Sequence, residues 1–487
     1  MVLLLATHTY PLDQLAAAGA ALSELFPPGV QIAGATINGL LYRNVRYDAM
    51  LAQQKAVAVV ALGEADLPGS RAAAVLVADP TEGPRRAGQE LARRARALFG
   101  TNIESGMLFS PGLPTDGPPL DQAIADGLRD LEPSIGLSGT GLSGGLDLRG
   151  FCEPGVALLD GRVERNGALF LAFEGSGPSV TPQRTAVTIG NGLRRVDAPP
   201  LVVTRAEGAH VLTIDNQPAY ERVVEAVRRH ERVRGAGVGD LDKNLGLTMV
   251  ERRLAFAVKD PTGEFFWPRI PLRSLPDGSY VDAFEYVTGE ELHLVEADEG
   301  SCLGAAHETP LRLRESASMG HARFELVVAF SCSIRGFVLG GRSVEENREV
   351  GALAHCDDDN VLGVIANGEL GTFNGGRPRA TGWAYSLFGL GDEGRPGGKG
   401  LEGVMGERIQ RLIDSIRRAK GPFFVARLNL RVHFALDDPN APDKEEHIAT
   451  LLEVSRALGY DAEAGISLPP TGPTTPSTHP TRKPVNR

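Results

Sequence analysis

The chain has 487 residues, which is enough for more than one hydrophobic core, because single cores stop growing at roughly 250 to 300 residues. Its formal net charge of -11 disfavours binding to nucleic acid or to an anionic membrane surface, and the sequence holds no basic stripe that would offset this charge. No apolar run approaches the roughly 20 residues of a membrane-spanning helix, and the short run Val2 to Leu5 lacks the features of a signal peptide. We therefore predict a cytoplasmic protein without membrane insertion.

The first 150 residues alternate between predicted strands and helices. The predicted elements are an apolar strand at Val2 to Leu5, a helix from Pro11, a strand ending near Gly34, strands at 56–62 and 72–78, and helices at about 85–98 and 121–131. The helix at 85–98 has the charged outer face that is typical of a layer lying on a sheet. This part of the sequence predicts an α/β domain.

A glycine-rich stretch, GLSGTGLSGG at 136–145, has the glycine spacing of a loop that binds a dinucleotide pyrophosphate. Such a loop must follow a strand and open a helix, so that the helix N-terminus faces the phosphates. This stretch follows a predicted helix instead and runs into short strands. We therefore interpret it as a flexible turn that permits close approach of the backbone.

From residue 150 onward the pattern changes to short strands joined by turns, as the dipeptides Asp160-Gly161 and Asn166-Gly167 indicate. The predicted elements are strands at 168–173, 211–214, 254–258, 281–286, 291–295 and 324–330, and a helix from Pro218 after the turn Asp215-Asn216. Beyond Gly400 the pattern predicts an amphipathic helix, a strand over 424–434 and a helix over about 444–458. The tail lacks apolar residues and is predicted to be disordered.

The segment VVAFSCSIRGFVLGGRSVEENREVGALAHCDDDNVLGVIANGELGTFNGG, residues 327–376, resembles the C-terminal half of the FIST family of bacterial sensory proteins. The matching elements are Cys332-x-x-Arg335-Gly336 at a strand end, an acidic helix, and Gly368-Glu369. The opening VLLLATHTYPLDQLAAAGAALSELFPPGVQIAGATINGLL is similar to the start of the same family, so the resemblance covers roughly residues 1–390. The sequence departs from the family pattern at Ala366-Asn367 and at Asn374-Gly375-Gly376.

The resemblance implies an α/β and α+β multi-layer fold, with an N-terminal α/β domain followed by a β-rich α+β C-terminal domain. We expect a FIST N-like domain at 1–215, a FIST C-like domain at 216–390, an α/β extension at 391–465 and a disordered tail at 466–487. The extension is a candidate surface for a homodimer.

The same resemblance implies a sensory module that binds a small molecule such as an amino acid and regulates kinases, cyclic-dinucleotide enzymes or chemotaxis. The sequence contains no kinase, receiver or cyclase motif, so the output is expected to pass to a separate protein such as a histidine kinase or a cyclic-dinucleotide enzyme. The expected ligand site lies near the motifs that carry the resemblance. The candidate ligand-binding residues are Arg273, Cys332, Arg335, Gly336, Gly368, Glu369 and Asn374.

Arg335 offers a planar guanidinium that suits a ligand carboxylate, and Glu369 could receive a ligand ammonium group. An ion pair of Arg335 with Glu345 or Glu369 would instead serve structure alone. Cys332 could be a nucleophile, a haem ligand or a buried small side chain, and the last is the commonest case. Arg273 is a second candidate of the same kind as Arg335.

Two alternatives stay open beside the metabolite sensor. One branch of the family binds haem as a nitric-oxide sensor, and His210 or His293 could ligate haem here, without a Cys-x-x-Cys-His attachment. The other alternative is an enzyme that uses Cys332, although no Ser/His/Asp arrangement supports catalysis. The stretch His355-Cys356-Asp357-Asp358-Asp359 has no zinc or calcium spacing, and we interpret it as a solvated turn. The four cysteines form no Cys-x-x-Cys pair, which argues against a zinc ribbon or a disulfide scaffold.

Overall fold

The computed structural model describes most of the first 392 residues of the chain. The ranges outside the description are 27, 43–44, 50–53, 63–70, 101–102, 112–119, 145, 148–150, 153–154, 175–184, 234–244, 261, 264, 283, 317–322, 357–359 and 393–487. The elements predicted beyond Gly400, the extension after residue 392 and the tail therefore lie outside the described residues.

The described helices are α1 (Leu12–Leu25), α2 (Pro84–Phe99), α3 (Leu120–Leu131), α4 (Ala219–Val233), α5 (Leu245–Glu251), α6 (Glu299–Ser316), α7 (Ser333–Leu339) and α8 (Ser343–Leu353). The strands of the first part are β1 (Val2–Thr7), β2 (Ile32–Ile37), β3 (Gly39–Tyr42), β4 (Val45–Asp48), β5 (Val57–Ala61), β6 (Ala72–Val77), β7 (Ile103–Ser110), β8 (Gly136–Gly141), β9 (Leu146–Asp147), β10 (Phe151–Cys152), β11 (Val156–Leu159), β12 (Arg162–Arg165), β13 (Ala168–Glu174) and β14 (Thr185–Gly190). Those that follow are β15 (Arg194–Arg195), β16 (Leu201–Glu207), β17 (His210–Ile214), β18 (Gln217–Pro218), β19 (Leu254–Lys259), β20 (Phe266–Arg269), β21 (Pro271–Ser274), β22 (Tyr280–Asp282), β23 (Glu291–Glu296), β24 (Arg323–Cys332), β25 (Val361–Gly371), β26 (Arg379–Thr381) and β27 (Tyr385–Asp392).

An eleven-stranded sheet forms the centre of the molecule and joins strands from both ends of the described chain. Its main path runs β14-β27-β24-β25-β8-β7-β13-β6, and β3 and β26 pair with β25 beside that path. Two pairs in it are parallel, β7 with β8 and β24 with β25. A five-stranded sheet, β12-β11-β2-β1-β5, packs on one face of it, and a nine-stranded sheet is built from strands between β15 and β23.

The layers follow from which faces of the strands are apolar. In β13, Leu169, Leu171 and Phe173 join the core between the two sheets, while Phe170 and Ala172 face the core beneath α2 and α3. A strand buried on both faces has a continuous apolar sequence, as ALFLAF does here. Helix α1 covers the outer face of the five-stranded sheet, α6 and α8 cover the C-terminal part of the central sheet, and α4 covers the nine-stranded sheet. The structure thus confirms the predicted α/β and α+β multi-layer fold.

Most predicted elements are present, and three predictions need correction. The glycine stretch is a strand, β8, rather than a flexible turn, because its glycines let two strands approach closely: a Cβ on Gly139 would lie 2.0 Å from the carbonyl oxygen of Leu108. Pro218 belongs to β18, and the helix begins at Ala219. The strand predicted at 281–286 ends at Asp282.

The predicted boundary at residue 215 falls inside the nine-stranded sheet, at the turn between β17 and β18. The part of the chain that the structure describes contains no helix long and apolar enough to cross a membrane.

Candidate functional site

The sequence-predicted residues Cys332 and Glu369 meet where a parallel strand of the central sheet ends. Cys332 is the last residue of β24 and lies opposite Ala366 of β25. Just beyond, the pairing of β25 with β8 shifts by one residue between Asn367 and Glu369, which is a β-bulge. Gly368 takes up this bulge at φ 78°, a left-handed conformation that favours glycine. The bulge places the Glu369 side chain beyond the end of β24.

The thiol of Cys332 forms a hydrogen bond with the carboxyl group of Glu369. The backbone of Ala384 connects the same two residues, because its N–H donates to Oε2 of Glu369 at 3.2 Å and its carbonyl oxygen accepts from the N–H of Cys332 at 3.1 Å. The preceding residue, Trp383, has φ 54°, so its backbone is held in a conformation that is rare for a bulky side chain. We call Cys332, Glu369 and Trp383 the central cluster.

Burial controls the protonation of the central cluster. It raises the pKa of Glu369 to about 8, and the negative charge of Asp121 contributes in the same direction. Burial also raises the pKa of Cys332 well above its ordinary value, and Glu369 raises it further. Both groups are therefore predominantly protonated at neutral pH. A thiol of this kind lacks the thiolate character that a nucleophilic cysteine needs.

Two polar atoms of the central cluster remain without a hydrogen-bond partner among the described residues. They are Oε1 of Glu369 and Nε1 of Trp383, and both side chains are about 1% exposed. Buried polar atoms nearly always have partners, and one that lacks a partner costs about 1–3 kcal/mol. The central cluster therefore offers a carboxyl oxygen and an N–H donor that the described residues leave unpaired.

Arg335 lies behind this cluster, 1% exposed, with all its N–H groups engaged by the protein. Its guanidinium donates to Glu346, to the carbonyl oxygens of Asn191 at 2.6 Å and Cys302 at 2.9 Å, and to that of Trp383 at 3.4 Å. Its ion-pair partner is thus Glu346, rather than the Glu345 or Glu369 that the sequence suggested. The structure leaves Arg335 no free donor for a ligand carboxylate.

The choice between Glu345 and Glu346 is made by the orientation of α8. Glu346 is fully buried and also accepts from the hydroxyl of Ser331 at 2.8 Å, whereas Glu345 pairs with Arg342 at the surface. Consecutive residues of a helix point about 100° apart, so only one of two adjacent glutamates can face the core.

The remaining predicted site residues lie at different places. Gly336 leaves room for Arg46, whose Nη2 would be 2.5 Å from a Cβ at that position. Asn374 is exposed in a turn at φ 48°. Arg273 belongs to β21 of the nine-stranded sheet, and its side chain is outside the description.

The described histidines do not fit the haem hypothesis. His210 directs Nε2 at the hydroxyl of Ser279, 2.7 Å away, and His293 is a buried strand residue whose Nε2 lies 3.7 Å from Glu291. We derive no haem chemistry from these two residues.

The stretch at 355–359 is only partly described, because Asp357, Asp358 and Asp359 lie outside the description. His355 is an exposed turn residue at φ 52°, and Cys356 packs in the core beneath α6 and α8. The described part of the chain contains no group of three or more potential metal ligands.

Trp383 and Asp121 are residues of the candidate site that the sequence interpretation missed, and Glu346 was considered only as part of the acidic helix, not as the partner of Arg335. Trp383 is one of only two tryptophans in the chain, which is a signal that could have drawn attention to it. Asp121 is near the bulge, with Oδ2 3.9 Å from a Cβ built on Gly368.

Residues 1–217 match the family model of the FIST N domain, and this match supports the resemblance of the chain to the FIST family, which comprises sensory domains of signal transduction. No curated protein matches the chain. Among solved structures, the crystal structure of cyanuric acid hydrolase from A. caulinodans aligns with 66% of this chain and 99% of its own, at 11% identity and a TM-score of 0.18. A similarity this weak supports no inference about fold or activity.

Proposed function

We propose that this protein is a sensor whose central cluster binds a small molecule with an ammonium group, such as an amino acid or a related amine. The observation that carries the proposal is that Oε1 of Glu369 and Nε1 of Trp383 are both buried and both lack a hydrogen-bond partner among the described residues. The match of residues 1–217 to the FIST N domain, a sensory domain, supports the same class of function.

The chemistry of the ligand follows from the two unused atoms. A ligand ammonium would donate to Oε1 of Glu369 and favour the ionised carboxylate, because an opposite charge within a few ångströms lowers the pKa of a carboxyl group. Trp383 can only donate through Nε1, so it requires an acceptor, and a ligand carboxylate or carbonyl oxygen would supply one. An amino acid carries both groups on one small framework.

In this proposal Arg335 does not hold the ligand. Its bonds to Glu346 and to the carbonyl oxygen of Trp383 hold the tryptophan backbone in place. Arg335 would therefore affect ligand binding through the position of Trp383, which makes it a positioning residue.

We further propose that the protein acts in the cytoplasm and passes its signal to a separate output protein, such as a histidine kinase or a cyclic-dinucleotide enzyme. The basis for this step is the lack of any kinase, receiver or cyclase motif in the sequence.

The test is a thermal-shift screen of the full chain against amino acids and simple amines, with titration of each hit by calorimetry. We expect a hit to bind at least tenfold more weakly to Glu369→Gln, because the variant cannot carry the charge that faces the ammonium group. Glu345→Gln is the matched control, since Glu345 is a glutamate paired at the surface.

The pH dependence gives a second arm of the test. Binding of a permanently charged amine should strengthen as the pH rises through about 8, where Glu369 ionises, and Glu369→Gln should remove that dependence. The proposal fails if no amine shifts the Tm, or if the two glutamate variants bind a hit equally well.

A further inference from the structure

Arg269 and Arg379 lie close together where the nine-stranded sheet meets β26 of the central sheet. Arg269 is the last residue of β20 and Arg379 is the first residue of β26, and these two strands are in contact. The two positive charges repel each other: the pKa of Arg379 is lowered first by burial and then by Arg269. An arrangement of this kind is unfavourable unless an anion offsets it.

Arg269 is buried, at 6% exposure, and uses few of its donors. Its Cζ lies 5.8 Å from the centre of the Phe284 ring and 5.5 Å from that of Tyr286, so aromatic rings cover the guanidinium. Nη1 donates to the carbonyl oxygen of Pro268 at 3.2 Å, while Nε is buried without a partner among the described residues. The N–H edge of the guanidinium is therefore the part left for a further partner.

The nearest buried carboxylate does not supply that partner. Asp282 accepts at Oδ1 from the N–H groups of Ile270 at 3.3 Å and Phe284 at 3.0 Å, and at Oδ2 from the hydroxyl of Tyr286 at 2.5 Å. Arg269 lowers the pKa of Asp282 through its charge, but the described contacts include no ion pair between them.

Arg379 is half-buried and completes the arrangement. Its Cζ lies 5.5 Å from the centre of the Trp267 ring. Arg377, Glu290 and Asp260 also influence the pKa of Arg379 electrostatically, yet Arg379 forms no ion pair or side-chain hydrogen bond with any residue that the structure describes. Because Arg379 is more exposed than Arg269, a ligand would approach from its side.

We propose that Arg269 and Arg379 form a binding site for the oxyanion group of a small metabolite, either a carboxylate or a phosphate. Two guanidiniums with aromatic rings against them are held in fixed orientation, and their N–H edges match the geometry of an oxyanion. This oxyanion site shares no residue with the central cluster, so it is a second site, separate from the ammonium site proposed for Glu369.

The experiment measures the Tm of the full chain in inorganic phosphate and in acetate, each against sodium chloride at the same ionic strength, with affinities from calorimetry. We expect at least one of these anions to raise the Tm and to bind at least tenfold more weakly to Arg379→Gln. The comparison of phosphate with acetate tells which oxyanion the site prefers.

Arg377→Gln is the matched control, because Arg377 is an exposed arginine of the same loop that pairs with Asp126. This variant should keep the response of the natural protein, and so should Glu369→Gln, which separates the oxyanion site from the ammonium site. Arg269→Gln should weaken binding as Arg379→Gln does; if it fails to fold, Arg379→Gln alone decides. The proposal is overturned if neither anion differs from chloride, or if Arg377→Gln loses the response as fully as Arg379→Gln.

Discussion

The thiol of Cys332 and the carboxyl group of Glu369 share a hydrogen bond inside the protein, where burial raises the pKa of both groups and Glu369 raises the pKa of Cys332 further. Strand β24 contributes the thiol and the bulge of β25 contributes the carboxyl group. Glu369 therefore keeps its proton at neutral pH, and a cation approaching the carboxyl group would favour loss of that proton.

The stability of the protein should depend on pH through Glu369. Its pKa is about 8 in the folded protein, against an ordinary value of 4.5. Between these values the folded state holds a proton that the unfolded state has lost, so this stabilisation is present below about pH 4.5 and disappears as the pH rises through about 8. We expect the free energy of unfolding to fall over this window, with at most about 1.4 kcal/mol per pH unit from this group.

Urea unfolding at several pH values, from about 5 to about 8, measures this dependence. The free energy of unfolding of Glu369→Gln should fall less steeply with rising pH than that of the natural protein. Parallel curves for the two proteins would contradict the assignment of the titration to Glu369.

Cys332 should react slowly with alkylating reagents. Burial and Glu369 raise its pKa, and the thiolate is the reactive form. We expect iodoacetamide to modify Cys332 more slowly in the folded protein than in the urea-unfolded chain, as followed by mass spectrometry of the peptide that contains it. A faster reaction in the folded state would revive the hypothesis of a Cys-dependent enzyme.

The ion pair between Arg335 and Glu346 should be essential for stability. Both side chains are almost completely buried, so removing one partner leaves the other charge uncompensated. We expect Arg335→Met to lower the free energy of unfolding by about 3–5 kcal/mol. Chemical denaturation followed by circular dichroism measures the loss.

Arg342→Met is the control for this prediction, because Arg342 pairs with Glu345 and Glu299 at the surface, where salt bridges contribute little. Equal losses for the two variants would show that Arg335 has no special structural role.

Gly139 should tolerate no larger residue. A Cβ at this position would lie 2.0 Å from the carbonyl oxygen of Leu108 in the parallel neighbour β7, so Gly139→Ala must push two central strands apart. We expect a loss of about 3 kcal/mol or more in thermal or chemical unfolding. Gly304→Ala, in an exposed part of α6 with open space around it, should be neutral or stabilising by up to about 1 kcal/mol. A harmless Gly139→Ala would refute the close strand approach.

Local patterns in the sequence predict much of the fold. The hairpin signal Asp160-Gly161 is confirmed, because it joins the antiparallel pair β11 and β12, and Asp160 has positive φ. Asn166 also has positive φ, but the strands on either side of it, β12 and β13, belong to different sheets and form no hairpin. The glycine stretch was predicted wrongly because glycine favours turns in isolation, and only the neighbouring strand β7 explains why glycine is needed inside a strand.

The candidate site was predictable in part. Cys332 and Gly368-Glu369 come together because β24 and β25 pair in parallel. The order of strands in the sheet determines this pairing, and the local sequence does not reveal it. The selection of Glu346 over Glu345 depends on the rotation of α8 against the core. The positive φ of Trp383 and the proximity of Arg269 to Arg379 depend on contacts between distant segments, which no spacing in the sequence indicates.

The central sheet also limits where the chain can be divided into fragments that fold separately. Strand β25, from the later part of the chain, has neighbours in β3 and β8, which belong to the family-matched first 217 residues. Likewise, β14 from the first part pairs along its whole length with β27. A fragment that ends at residue 217 would expose several unpaired strand edges and is expected to aggregate when expressed alone. The two fragments produced together in one cell should instead recombine into a native-like complex, which makes this junction suitable for a split reporter of folding.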